Sequence, residues 1–451
     1  MTNSAASNRD EQESDPAKPA DDARRVTVGI LGCGVVGSAL VELINTRREA
    51  IAATAGVSLV VHSVAVRSAS KDRPGVPSDL LTTDAKALVA DPAVDVVVEV
   101  IGGIEPARTL IRTAIDGGKP VVTANKELLA NYGVELSAAA DVAGVDLLFE
   151  AAAAGAIPIV RPLRESLLGE DITRVMGIVN GTTNFILSKM SSEGASYEAV
   201  LAEAQRLGYA EADPTADVGG FDAGAKAAIM ASLAFGARVV AGDVYHEGIA
   251  DITAADIDDA KALGYEIKLL AIAEAIDGDD GREIAVRVHP AMVPAEHPLA
   301  SVRDSFNAVF VEGRAAGELM FYGRGAGGHP TASAVLGDLI DAAVNVVAGT
   351  HRPVPAGGSE VRIRPIDDIS SAYYLNVEVN DSPGVLSAVA GVFGKHGLSI
   401  SSMNQEGLGE GARIAFVTHQ AIERDLQAAL HDLRALDVVR GIGSVLRVID
   451  A

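Results

Sequence analysis

Residues 26–37, VTVGILGCGVVG, decide how the N-terminal part of the chain is read. VTVGIL is an apolar, β-branched run of strand length. It breaks into Gly32-Cys33-Gly34-Val35-Val36-Gly37, a GxGxxG that opens the helix-forming stretch SALVELINTRREAIAATA. In the order strand, glycine turn, helix, such a hexapeptide reads as a dinucleotide site: the glycines let the backbone turn tightly and approach a pyrophosphate, which the helix N-terminal amides hold. An ordinary glycine turn is the alternative.

Working outward, the strand-length runs SLVVHSVAV, DVVVEVIG and PVVTAN alternate with helical ARTLIRTAIDGG, the pattern of a doubly wound parallel sheet over residues 25–150. Residues 151–322 mix helical pieces (YEAVLAEAQRLG, AKAAIMASLAFGA, AADIDDAKALGYEIKLLAIAEAI) with strand-like ones (REIAVRVHPAMV, NAVFVEG, GELMFYG) and predict an α+β domain. Residues 323–347, GRGAGGHPTASAVLGDLIDAAVNVV, form a glycine turn and a long apolar-faced helix expected to return to the first domain. The Pro- and Gly-rich stretch within 348–371 reads as a linker. Residues 372–451 parse as βαββαβ, a ferredoxin-like unit whose open edge can pair with a second copy.

Charge and composition exclude several functions. The 451 residues carry 61 acidic against 37 basic side chains, a formal charge of −24, which disfavours nucleic acid as a partner because phosphate binding depends on Lys and Arg. Cys33 is the single cysteine, so an intramolecular disulfide and a cysteine zinc site are both excluded. Residues 1–24 contain almost no large apolar side chain and read as a disordered tail rather than a signal peptide. No run approaches the roughly 18 uninterrupted apolar residues of a membrane helix. A soluble cytoplasmic protein is the expectation.

Three clusters carry chemistry. Between Ala50 and Lys71 there is no acidic residue to hold a ribose 2′-hydroxyl; Arg67 stands at the end of the second strand instead, where a guanidinium pairs with a 2′-phosphate. NADP(H) is therefore expected over NAD(H), against the plainer reading of Arg67, Lys71 and Arg73 as a solvated loop. Lys126 follows a parallel strand in TANKELLA, at the edge where such sheets bind ligands, though a surface lysine is the commoner occupant of that place. In YAEADPTADVGGFDAGAK (209–226), Asp222 and Lys226 are four apart on one helix face, while Pro214 and Gly219-Gly220 turn Glu211 and Asp217 toward them. Alone, the pair reads equally as a surface ion pair. Carboxylates gathered this closely call for a cation, such as a substrate ammonium, and Lys226 would then protonate or polarise a carbonyl oxygen at the other end. The residues by themselves point to NADP-dependent reduction of a small carbonyl compound that carries an ammonium group.

The strings LGCGVVG, TANKELLA, FEAAAAGAIPIV, NGTTNFIL, GYAEADPTADVGGFDAGAK and GRGAGGHPTASAV, in this order from Val26 to Val347, resemble homoserine dehydrogenase. The resemblance implies interconversion of L-aspartate 4-semialdehyde and L-homoserine, with Lys226 as proton donor and acceptor and Lys126 as a second catalytic lysine. It implies homoserine contacts at Glu211 and Asp222, with neighbouring contacts at Asp217, Tyr209 and Thr182. Cofactor contacts would lie at the first glycine loop, Lys126, Gly181 and Gly327. It also implies a structural monovalent cation, usually sodium, held by backbone carbonyls and a glutamate at Glu150, Ala153, Gly155 and Ile157, a stretch otherwise read as an alanine-rich hinge.

VNDSPGVLSAVAGVFGKHGLSI resembles an ACT domain. Pro383 suits the first turn of its helix, and the turn with Asn380, Asp381 and Gly384 offers free amides to a carboxylate. Feedback inhibition by L-threonine is the expectation, a purely oligomerising module the alternative, and a homodimer or homotetramer the expected assembly. Rival readings of the whole chain are another NADP-dependent amino-acid dehydrogenase and a non-catalytic nucleotide or amino-acid sensor, which would need neither lysine.

Overall fold

A computed structural model describes residues 23–278, 281–352, 360–407 and 411–449. Most of the tail expected at residues 1–24, and part of the segment 348–371, lie outside the described residues.

The first sheet contains β1 (Arg24–Leu31), β2 (Val57–Ala65), β3 (Leu81–Thr82), β4 (Val96–Glu99), β5 (Val121–Thr123) and β6 (Leu147–Leu148), all parallel, in the order β3-β2-β1-β4-β5-β6. Its central strands are runs of Val and Ile because helices cover both faces. Val97 and Val121 pack with the helices Ala107–Asp116 and Lys126–Ala143 on one side. Val28, Ile30, Val96 and Val98 pack with the helices Val35–Thr46 and Gly328–Ala348 on the other. The helix Gly328–Ala348 thus returns to the first sheet through Ala332, Val335, Leu336 and Leu339. Among the described residues it alone is long and apolar enough to cross a membrane, and that apolar side is occupied by this packing.

The second unit is built on β7 (Ile172–Ile178), β8 (Tyr245–His246), β9 (Tyr265–Gly278), β10 (Gly281–Pro294), β11 (Phe306–Gly313) and β12 (Gly317–Arg324). Its antiparallel path runs β12-β11-β7-β9-β10. One expectation is overturned here. GYEIKLLAIAEAI, read as the continuation of a helix, is the central strand β9; the helix ends at Ala262. Flanked by β7 and β10 and buried on both faces, β9 needs apolar residues at nearly every position, which removes the alternation that would have marked it as a strand.

The third unit contains β13 (Ser370–Asn380), β14 (Ile400–Gly407), β15 (Gly411–Thr418), β16 (Ala421–Ile422) and β17 (Val439–Val448), with the helices Val385–Lys395 and Glu423–Arg434. The order β17-β13-β15-β14 is ferredoxin-like. Rather than standing apart on a tether, this unit continues the second sheet: β17 runs parallel to β10 at Ala291–Arg447 and Met292–Val448. Three segments share the outer edge of β10 in succession: Ile363, then β8, then β17. The end of the presumed linker is therefore fastened, with Arg362 and Arg364 both ion-paired to Glu283. Tyr374, Val417, Leu446 and Val448 enter the same core as the second unit.

Candidate active site

The glycine loop lies where β1 meets the helix Val35–Thr46, at the carboxyl ends of the parallel strands. Gly32 has φ +103°, and a Cβ there would stand 2.8 Å from the Val100 carbonyl oxygen, so only glycine lets the loop lie this close to β4. Gly34 precedes the helix without a side chain to cap its first amides, and it lines an open cleft of about 720 Å³. Gly32, Cys33, Gly34, Arg67, Lys71 and Arg73 line this cleft, while Val35 is exposed at the helix start and Val36 and Gly37 turn toward the protein. Arg73 is committed to the loop itself, donating to the carbonyls of Cys33, Ser68 and Lys71. Arg67 and Lys71 have no ion-pair partner among the described residues.

A second cavity, of about 650 Å³, opens between the first and second units. It brings together Lys126, Gly181, Thr182, Tyr209, Glu211, Asp217, Asp222, Lys226 and Gly327, which lie far apart in the chain. Each arrives for a local reason. Asn125 caps the helix Lys126–Ala143, so Lys126 leaves from its first turn, beyond the end of β5. Gly219 and Gly220 break the short helix Thr215–Val218 from the helix Phe221–Phe235, and Asp222 and Lys226 descend one face of the latter. Asp213, which had no evident role in the sequence, accepts the Thr215 amide and hydroxyl at 3.1 and 2.6 Å and so fixes the short helix.

At the centre, the Asp222 carboxylate lies between two ammoniums. Lys226 donates to Asp222 Oδ2 at 2.7 Å and to the Val179 carbonyl at 2.6 Å, and Lys126 approaches the other carboxylate oxygen. Burial by itself would raise the Asp222 carboxyl, but Lys226 and Lys126 outweigh it and hold the group far below the usual carboxylate range. Burial and the Lys126 charge push Lys226 down, with Asp222 opposing. Lys126 goes the other way: burial opposes its charge, but attraction to Asp222 prevails and raises it.

Sequence reasoning passed over the residue that ties the cluster together. Asn180 donates to Asp217 Oδ1 at 2.7 Å and to Asp222 Oδ2 at 2.9 Å, while its own oxygen caps the helix Gly181–Glu193. The amide contacts join residues 37 and 42 positions away, which no local pattern encodes. Asn307 was also missed; it lines the cavity, and its buried Oδ1 has no hydrogen-bond partner. Thr182 and Tyr209 meet directly, hydroxyl to backbone carbonyl at 2.7 Å, while Glu211 remains exposed at the mouth.

Two further stretches are placed in detail. At the hinge, the Glu150 carboxylate accepts the amides of Ile159, Val160 and Arg161 at 2.6, 2.8 and 2.9 Å and so caps a helical turn. The carbonyls of Ala153, Gly155 and Ile157 accept no hydrogen bond among the described residues, and as hard oxygen donors they fit a monovalent cation. In the third unit Gly384 caps the helix, with φ +92°, so Pro383 precedes the cap instead of occupying the first turn. Asp381 and Gly384 are exposed there, and Asn380 is held by Arg440 at 2.6 Å.

A cleft beside a glycine-opened helix and a second cavity holding two lysines about one carboxylate suit hydride transfer to a small carbonyl compound. Residues 32–150 match the family model "Homoserine dehydrogenase, NAD binding domain", residues 158–340 the model "Homoserine dehydrogenase", and residues 373–438 that of the ACT domain. The homoserine dehydrogenase of Mycobacterium tuberculosis is 53% identical over 434 residues, 95% of this chain and 98% of that protein. A homoserine dehydrogenase structure from Thiobacillus denitrificans superposes with a TM-score of 0.90 at 42% identity, covering 95% of this chain and 99% of that one. A hyperthermophilic archaeal homoserine dehydrogenase in complex with NADPH gives 0.61 at 29% identity, covering 73% and 99%. With both halves of the site inside matched segments and nearly the whole chain aligned, this chain belongs to the homoserine dehydrogenase family.

Proposed function

We propose that the chain reduces L-aspartate 4-semialdehyde to L-homoserine with NADPH, reversibly, in the cytoplasmic synthesis of threonine, methionine and isoleucine. The observation that carries this reading is the Asp222 carboxylate bridging Lys126 of the nucleotide-binding unit and Lys226 of the second unit. The nicotinamide cofactor, when bound, supplies the hydride or takes it back. Gly32 to Gly37 would hold its pyrophosphate, and Lys126, Gly181 and Gly327 would contact the cofactor at the second cavity. Arg67 favours the 2′-phosphate, with Lys71 beside it; the unpaired state of both cations supports this choice.

Lys226 is the proton donor to the carbonyl oxygen. An ammonium has three N–H bonds; Val179 and Asp222 take two, leaving the third for the reacting oxygen. Its depressed pKa suits a group that must give and recover a proton. Lys126, held charged, stabilises the developing alkoxide. Glu211, Asp217 and Asp222 receive the substrate ammonium, with Tyr209 and Thr182 closing that end. The backbone carbonyls of Glu150, Ala153, Gly155 and Ile157 would hold a monovalent cation such as sodium at the hinge.

The C-terminal unit binds L-threonine at the turn with Asn380, Asp381 and Gly384 and lowers activity. The exposed strand β14 supports pairing into a homodimer or homotetramer. Because Tyr374, Leu446 and Val448 are part of a shared core, deleting residues 372–451 would expose apolar side chains at roughly 1.5–3 kcal/mol each. Threonine sensitivity is therefore tested on the full chain. Nucleotide absorbance is followed with aspartate semialdehyde and NADPH, then NADH, with and without L-threonine. NADPH-preferring, threonine-inhibited turnover is expected; equal use of NADH sinks the Arg67 assignment, and indifference to threonine sinks the effector.

A further inference from the structure

One buried side chain of the C-terminal unit reaches the second unit at a place that bears on the substrate carboxylates. Arg447, in β17, is 5% exposed. Its Nε donates to Glu423 Oε2 at 3.0 Å and its Nη1 to Glu247 Oε2 at 2.7 Å. Glu423 belongs to the C-terminal unit, where the Tyr373 hydroxyl also donates to it at 3.0 Å. Glu247 follows β8 in the second unit, and Tyr245 donates to the same Glu247 oxygen at 3.3 Å. Burial opposes the charge on Arg447, but the two carboxylates prevail and hold it protonated.

The backbone beyond Glu247 supports the substrate loop. Glu247 N donates to the Val288 carbonyl at 2.8 Å, pinning the segment to β10, and Ile249 N donates to the Val218 carbonyl at 2.9 Å. Between them, Gly248 lies so close that a Cβ would stand 2.4 Å from the Val218 oxygen and 3.0 Å from Gly219 Cα. Residues 247–249 are thus the floor under Val218–Gly220, the turn that joins Asp217 to Asp222.

We propose that Arg447 and Glu247 form a positioning pair through which the C-terminal unit fixes the turn between Asp217 and Asp222, and with it the affinity for homoserine. This rests on the reading of those two aspartates as the substrate-ammonium site. Neither member of the pair touches substrate; they act through the backbone of residues 247–249.

Glu247→Ala in the full chain tests it. The Glu247 side chain is 34% exposed and Arg447 keeps Glu423, so no buried charge is left without a partner and the variant should fold. The KM for homoserine should rise about three- to tenfold, the scale of a lost coupling between neighbouring groups. The turnover number and the KM for the nicotinamide nucleotide should stay within about twofold, since neither contact is altered. Glu247→Gln, which keeps an acceptor for Arg447, should recover most of the loss. An unchanged homoserine KM, or a parallel rise in both KM values, overturns the proposal. Asp217→Asn separates the two levels of inference: if it raises the homoserine KM and Glu247→Ala does not, the positioning pair alone is wrong. If Asp217→Asn also leaves that KM unchanged, the substrate-ammonium reading fails and takes the pair with it.

Discussion

Lys126 and Lys226 meet the same carboxylate from opposite units, and the structure makes them chemically unlike. Lys226 lies inside a helix with its side chain 10% exposed, while Lys126 begins a helix at the mouth of the cavity with its side chain 46% exposed. Asp222 favours the charged form of both. For Lys226, desolvation and the neighbouring ammonium win and the pKa falls; for Lys126 the carboxylate wins and the pKa rises. Two lysines in one site can therefore divide the work, one exchanging a proton and the other remaining a fixed positive charge. The depth of burial sets the direction of each shift.

The strongest way to break this comparison is Lys226→Ala. On the proposed roles it should lower turnover by about 10²–10⁴-fold, the usual contribution of a positioned acid–base group, while nucleotide binding measured by fluorescence titration stays near normal. Near-normal turnover would remove Lys226 from the chemistry. The fold should survive, because Asp222 retains Lys126 and Asn180.

Lys126→Ala should cost at most about 10²–10³-fold in turnover, as the loss of one electrostatic contact, and it carries a pH signature. The Lys126 charge is one of the causes lowering Lys226. Removing it raises the Lys226 pKa, so the pH at which homoserine oxidation switches on, where Lys226 must be neutral to accept a proton, moves upward. In the reductive direction the alkaline loss of rate moves upward as well. A pH–rate profile that keeps its midpoint would show that the two ammoniums do not communicate.

Asp213→Ala bounds the comparison from below. Asp213 lies in the same acidic stretch but only caps the short helix through Thr215, on the surface. Its loss should lower the melting temperature slightly and leave turnover within about twofold, as for a surface cap away from reacting groups. A large fall in turnover would mean that the cap, and not the carboxylates facing the cavity, controls the loop.

The parts of the site that were legible in the sequence are those whose geometry is local. GCGVVG follows a strand and opens a helix whatever the rest of the chain does. Asp222 and Lys226 share a face because they are four residues apart. What was not legible depends on segments that approach from a distance. Asn180 joins two aspartates only because its loop and theirs fold against one another. Glu150 caps a turn with amides nine to eleven residues on, which no composition rule would distinguish from a free carboxylate. β9 was misread because a strand buried on both faces has no period of its own. Likewise, a Pro- and Gly-rich stretch suggested a free linker, whereas β17 and Ile363 close the edge of β10 and bind the C-terminal unit to the second sheet.

Sequence by itself determined the nucleotide-binding fold, the ferredoxin-like C-terminal unit and the residue types gathered about Asp222, because glycine stereochemistry, strand alternation and helical spacing act over a few residues. Only the tertiary structure decided which lysine is buried, how one carboxylate is divided between two ammoniums, and that Arg447 reaches Glu247 beneath the turn between Asp217 and Asp222. Desolvation and charge pairing depend on which groups are brought within a few ångströms of one another, and that is a property of the packed chain.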